Sequence, residues 1–162
     1  PLSTMGAALH VAVHAFGKIT LFMAAGAIYT AAHKTKVSEL DGIGRRMPWT
    51  MTAFAIGAIS MIGLPPAAGF LSKWYMLLGA LEVEQWFAVG VIVGSTLLNA
   101  AYFLPIVYAA FLKPEKPDGH GHAHGEAPLP IVLALVTTGA ATILLFLFPG
   151  PALELARMLV SQ

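Results

Sequence analysis

Residues 5–32 read MGAALHVAVHAFGKITLFMAAGAIYTAA, an apolar run with no carboxylate and no arginine. About 20 apolar residues suffice to cross the hydrocarbon core of a bilayer. Inside lipid, every backbone polar group must be bonded within its own element or a closed barrel. The run lacks the strict alternation of a barrel strand, so it predicts a membrane-spanning helix. Three more apolar blocks follow, at 47–81, 86–112 and 129–148.

The block at 47–81 cannot be one straight helix. Its 35 residues would extend about 52 Å, against a core of about 30 Å. Two full crossings with a loop would need more residues than it has. Adjacent prolines, Pro65 and Pro66, stop a helix in its middle, because proline lacks the N–H for the i−4 carbonyl. The pattern predicts one span made of two half-helices, broken at 63–69. Backbone of that kind is tolerated at membrane depth only where it is buried in protein or lines a cavity.

Loop charge agrees with a single crossing there. Segment 33–46 carries Lys34, Lys36, Arg45 and Arg46, and segment 113–128 carries Lys113 and Lys116, whereas 82–85 has no basic residue. Four spans place both basic segments on one side, as the positive-inside rule requires. The expected class is therefore an all-α transmembrane protein of four spans, in one transmembrane domain over 1–150 of the cell (inner) membrane. A His/Pro/Gly-rich loop at 113–128 and a short tail at 151–162, with the makings of an interfacial helix, complete it.

Composition fits this class. The chain of 162 residues is 57% hydrophobic and 10% charged, where a soluble domain has about 25% charged residues. A net charge of +1 offers nothing to a nucleic acid. Without cysteine, disulfides and thiolate metal sites are excluded. A first residue of Pro rather than Met suggests a processed chain or a piece of a longer one.

The first span holds His10, His14 and Lys18 at i, i+4 and i+8. Each four-residue step turns the helix by only about 40°, so the three share a stripe. An ionisable side chain at the centre of a bilayer costs roughly 2.5–3.5 kcal/mol on insertion scales, and so calls for a function. Histidine can instead bond a neighbouring helix, and lysine can snorkel. Lys18 lies about 14 residues from either end of its run, which makes snorkelling awkward. A proton path accounts for the stripe better: imidazole titrates near neutrality, and desolvation brings lysine toward that range.

Lys73, in GLPPAAGFLSKW, has two readings. It is an interfacial lysine beside Trp74 and Tyr75, or a cation on the second half-helix near the break. His120, His122 and His124 read as a solvated loop rather than a metal site, since no Cys or carboxylate cluster completes the ligand set. No cofactor or metal is expected. Ser95 and Asn99 should hydrogen-bond a neighbouring helix. Gly90 and Gly94 give a weak packing signal, and Pro105 should kink its span.

These residues carry a resemblance. HVAVHAFGKITLFMAAGAI resembles the H-x3-H-A-F-x-K-x2-L-F segment of the proton-conducting antiporter-like membrane subunits. That family occurs in respiratory complex I, in membrane-bound hydrogenases and in Mrp-type sodium/proton antiporters. SELDGIGRRMPWTMTAFAIGAISMIGLPPAAGFLSKW is similar to the stretch that follows it. The two cover about residues 1–112, and the flavour is that of the D-type component of Mrp antiporters. The resemblance implies about fourteen spans in two inverted repeats, each with a broken helix, of which this sequence supplies the last four. It implies a central proton relay through His10, His14 and Lys18, with Lys73 as an exit-side or linking site. The glutamate and lysine of the family's first repeat have no counterpart here.

The leading expectation is the C-terminal half of a proton-translocating subunit of a multisubunit cation/proton antiporter. It is a transporter part rather than a stand-alone enzyme. The alternatives are an antiporter-like subunit of complex I or a hydrogenase, within a translocase, and a membrane-assembly subunit that does not transport. Expected partners are other membrane subunits, the lipid bilayer, protons and, for an antiporter, sodium.

Overall fold

The computed structural model describes residues 2–115 and 125–160. His120, His122 and His124 lie outside the described residues. Six α-helices follow one another among those described: α1 Leu2–Ala32, α2 Pro48–Ile62, α3 Ala68–Glu82, α4 Trp86–Leu112, α5 Leu129–Leu147 and α6 Gly150–Val160. Three of them, α1, α4 and α5, are long and apolar enough to cross a membrane. Neither α2 nor α3, with 15 residues each, is long enough to cross alone, at about 22 Å.

Local chemistry sets the boundaries between α2 and α3. Pro48 opens α2, where its missing N–H is no loss. Gly63 closes α2 in the left-handed region at φ 88°, a conformation that costs glycine little. The Gly63 and Leu64 amides both donate to the Ile59 carbonyl, at 2.9 and 3.1 Å. Pro65 and Pro66 cannot continue the helix. Ala67 is extended at φ −110° and ψ 150°, and α3 starts at the next residue. By contrast α4 runs unbroken through Pro105.

α2 and α3 lie end to end along α1, antiparallel to it. Close approaches at glycines mark the register. A Cβ on Gly57 would sit 3.3 Å from Thr20 and Leu21, and one on Gly17 would sit 3.1 Å from Met61 Sδ. Nearer the start of α1, a Cβ on Gly6 would sit 2.7 Å from the Met76 amide, and Ser3 Oγ donates to the Met76 carbonyl at 3.2 Å. So α2 covers the C-terminal half of α1 and α3 covers the N-terminal half.

Two apolar cores result, with a polar layer between them. One gathers Ala24, Ile28, Met47, Met51, Phe54, Ala58, Ala110 and Leu135. The other gathers Met5, Leu9, Val13, Ala68 and Ala156. Along α1 the chain between them includes His14, Lys18 and Thr20, and along α5 it includes Thr138 and Thr142. In the α2–α3 tandem it is the break itself, flanked by Ser60. Thr20, Ser60, Ser72 and Thr142 are all buried. Thr20 Oγ1 lies 2.9 Å from Thr138 Oγ1 and ties α1 to α5.

The segments 33–46 and 113–115 meet at one end of the bundle. The Gly42 amide donates to the Ala109 carbonyl at 2.9 Å. Lys113 faces the buried Asp41 at 3.4 Å, and Arg46 pairs with Glu115. Glu39 accepts from the Lys36 and Thr35 amides, first the Lys36 amide and then that of Thr35 holding its carboxyl below the usual carboxylate range. At the opposite end, α6 packs Ala156 against the α1 core and turns Leu155 and Leu159 outward.

One sequence expectation is corrected. Among the described residues Asn99 bonds no neighbouring helix. Its amide donates to the Ser95 carbonyl at 2.8 Å, one turn back on α4. The reason is local supply: an i−4 carbonyl is always within reach of a short amide side chain. At the nearby Gly90 and Gly94 a Cβ would meet nothing within 4 Å, so their face of α4 is unpacked among the described residues.

Candidate functional site

The polar layer brings residues of α1, α3 and α4 to the end of α2. A helix leaves its last carbonyls without intrahelical donors. At α2 the donor comes from Lys73, one turn and a half into α3. Its Nζ donates to the Met61 carbonyl at 3.0 Å, the Ile62 carbonyl at 2.9 Å and Thr96 Oγ1 at 3.2 Å. An ammonium has three N–H donors and no acceptor, so these partners match its capacity. A cation at a helix C-terminus also complements the negative end of the macrodipole. Lys73 therefore lies where α2 ends and α3 begins.

His10 joins the same region through α3. Its Nδ1 lies 2.8 Å from Ser72 Oγ. The Ser72 hydroxyl has one proton, and Ser72 Oγ also lies 3.1 Å from the Gly69 carbonyl as its donor. With that proton directed at Gly69, His10 Nδ1 carries a hydrogen and donates to Ser72, which leaves Nε2 to exchange a proton. The His10 and His14 rings stand 5.3 Å apart at 37°. His14 and Lys18 are one turn apart on the same stripe of α1.

Lys18 itself is exposed, unlike Lys73. It lines a cavity of about 370 Å³ between α1, α2, α4 and the 33–46 segment, along with Phe22, Lys34, Lys36, Phe54 and Tyr102. The stripe read from the sequence thus faces two settings: His10 and His14 approach α3 and the break, and Lys18 approaches the cavity. No group of three or more His, Cys, Asp or Glu able to hold a metal occurs among the described residues.

Sequence reasoning missed Ser72, Thr96, Gly69 and Glu126. Ser72 and Thr96 contribute single hydroxyls across helix interfaces, and no periodicity marks such a partner. Gly69 has a signal only in hindsight of the close approach: a Cβ there would lie 1.7 Å from the Ser60 carbonyl oxygen. Glu126 accepts from the first amides of α2, 76 or 77 positions away.

Apolar helices of membrane length, packed around a polar layer where α2 and α3 adjoin, define a membrane-embedded α-helical subunit. Residues 2–99 match the family described as NADH:quinone oxidoreductase/Mrp antiporter, transmembrane. The chain belongs to that family. It is 48% identical over 112 residues to NADH-quinone oxidoreductase subunit N of Desulforudis audaxviator, covering 69% of this chain and 22% of that protein. It is 32% identical over 115 residues to the D component of the Na(+)/H(+) antiporter of Alkalihalophilus pseudofirmus, covering 71% and 23%. Among solved structures it superposes on a chain of the Mrp complex from Dietzia sp. with a TM-score of 0.84 at 22% identity, over 94% of this chain and 36% of that one. The chain thus spans less than a quarter of the length of these two curated relatives.

Proposed function

We propose that the chain is a C-terminal part of an antiporter-like subunit that moves protons across the membrane within a multisubunit complex. Lys18, His14, His10 and Lys73 form its relay. The observation that carries this reading is Lys73, a cation held at the end of a half-helix by two carbonyls and a hydroxyl, beside a histidine pair that ends near Lys18. Groups of this kind exchange protons when held near working pH. Lys73→Ala should lower proton flux in vesicles at least about tenfold while the complex still assembles on a native gel. Wild-type flux in that variant would overturn the role of Lys73.

The same reading takes α2 and α3 as one discontinuous crossing, the second of four. Their tandem arrangement along α1 supports it, as does the meeting of segments 33–46 and 113–115 at one end. Cysteines at Lys36 and Gly125, both exposed, should be labelled by a membrane-impermeant reagent from the same face, the cytoplasmic one. Labelling from opposite faces would reject four spans.

A second reading concerns the driving module. The 48% identity to a quinone oxidoreductase subunit exceeds the 32% to an antiporter subunit, and favours a redox-driven complex over sodium exchange. Proton movement that follows quinone reduction and ignores a sodium gradient would decide for it. Movement that follows the sodium gradient would decide for the antiporter.

A further inference from the structure

α2 is held at both ends by charged side chains that belong to other parts of the chain. At its C-terminus the holder is Lys73. At its N-terminus the capping position is Met47, whose side chain makes no cap bond. The first amides of a helix need acceptors, and here one carboxylate supplies them. Glu126 Oε1 accepts from the Trp49 amide at 2.6 Å and the Thr50 amide at 3.3 Å, and Oε2 accepts from Thr50 Oγ1 at 2.7 Å. An anion at the N-terminus and a cation at the C-terminus both complement the macrodipole of α2.

The N-terminal hold is anchored on each side. Ala127, next to Glu126, is 5% exposed and belongs to the same apolar core as Met47 and Met51. Thr50 is fully buried. The carboxylate is therefore seated by packing, and the helix end it grips is part of a close-packed core. Between the two holds lie about four turns of helix, about 22 Å long, too stiff to absorb an axial slip.

We infer that Glu126 is a positioning residue: by fixing the N-terminus of α2 it sets where the Met61 and Ile62 carbonyls stand relative to Lys73. This rests on the function proposed for Lys73, and it assigns the end of the loop after α4 a part in the geometry of the break. Removing the carboxylate frees the first turn, and α2 then shifts along its axis and loosens the carbonyl cradle at the far end.

Hydrogen exchange in the assembled full-length complex separates this from an ordinary cap. Glu126→Ala should speed exchange about fivefold at the Trp49 and Thr50 amides and, with it, at the Gly63 and Leu64 amides bonded to Ile59. Glu126→Gln keeps one acceptor oxygen and should give a smaller change at both ends, which keeps the test open if the alanine variant does not assemble. Proton flux should fall in the same order, alanine below glutamine below wild type. Faster exchange at Trp49 and Thr50, with wild-type exchange at Gly63 and Leu64, would overturn the proposal and leave Glu126 a local cap. Absence of proton flux in the wild-type complex would instead remove the relay, while the exchange at Gly63 and Leu64 would still report the hold of Glu126 on the break.

Discussion

Gly69→Ala should prevent α2 and α3 from meeting, and the subunit should fail to accumulate in its complex. A Cβ at this position would lie 1.7 Å from the Ser60 carbonyl oxygen and 2.7 Å from its carbon. Non-bonded carbon atoms rest at about 3.5–4.0 Å. The obstacle is the backbone of the last turn of α2, and no side-chain rotation relieves it. Relief requires α3 to move away from α2, which would draw Lys73 off the Met61 and Ile62 carbonyls and Ser72 off His10. The cost should exceed about 4 kcal/mol, in the range of severe core substitutions. Gly26→Ala is the control, because none of the described residues lies within 4 Å of a Cβ there. In a helix interior alanine is better than glycine by up to about 1 kcal/mol, so that variant should accumulate at least as well as wild type. Native-gel yield and thermal unfolding in detergent would measure both. Normal yield of Gly69→Ala would mean that α2 and α3 do not approach so closely.

Lys18→Ala should lower proton flux about a hundredfold or more with assembly unchanged. Assembly should survive because Lys18 is exposed at the cavity and lies between the two apolar cores rather than within either. Flux should fail because the only titratable side chain of α1 next to that cavity is lost, and His14 is left without its neighbour on the cavity side. Lys18→Arg should fail as well. Arginine keeps the charge and does not release its proton in a protein. The pair of variants separates two roles. If arginine transports as well as lysine, Lys18 is a fixed charge and the relay does not pass through it. If both fail in an assembled complex, proton exchange at this position is required.

Much of the helical layout was legible because the bilayer leaves few choices. Long apolar runs must be helices, and Pro65-Pro66 must interrupt whatever helix contains them. The stripe of His10, His14 and Lys18 was legible for the same reason, since a regular helix fixes the angle between residues four apart. What each stripe residue faces was not legible. Lys73 carried two readings in the sequence, interfacial or near the break, because depth depends on how far α3 overlaps α2. That overlap rests on the absence of a side chain at Gly69. Asn99 was read as a tie to another helix, and its own helix turned out to offer the nearer acceptor.

The sequence by itself determined that this chain is helical and membrane-embedded, that its second apolar block is interrupted, and that His10, His14 and Lys18 share a stripe of the first helix. Each of those follows from local constraints: run length, proline chemistry and helical periodicity. Only the tertiary structure decided that Lys73 caps α2, that Ser72 bonds His10, and that Glu126 supplies the missing cap at the other end of α2. These contacts join residues from 11 to 77 positions apart. They arise because unsatisfied helix ends in a low-dielectric interior must find donors and acceptors wherever packing brings them, and a linear pattern holds no record of which distant side chain will arrive.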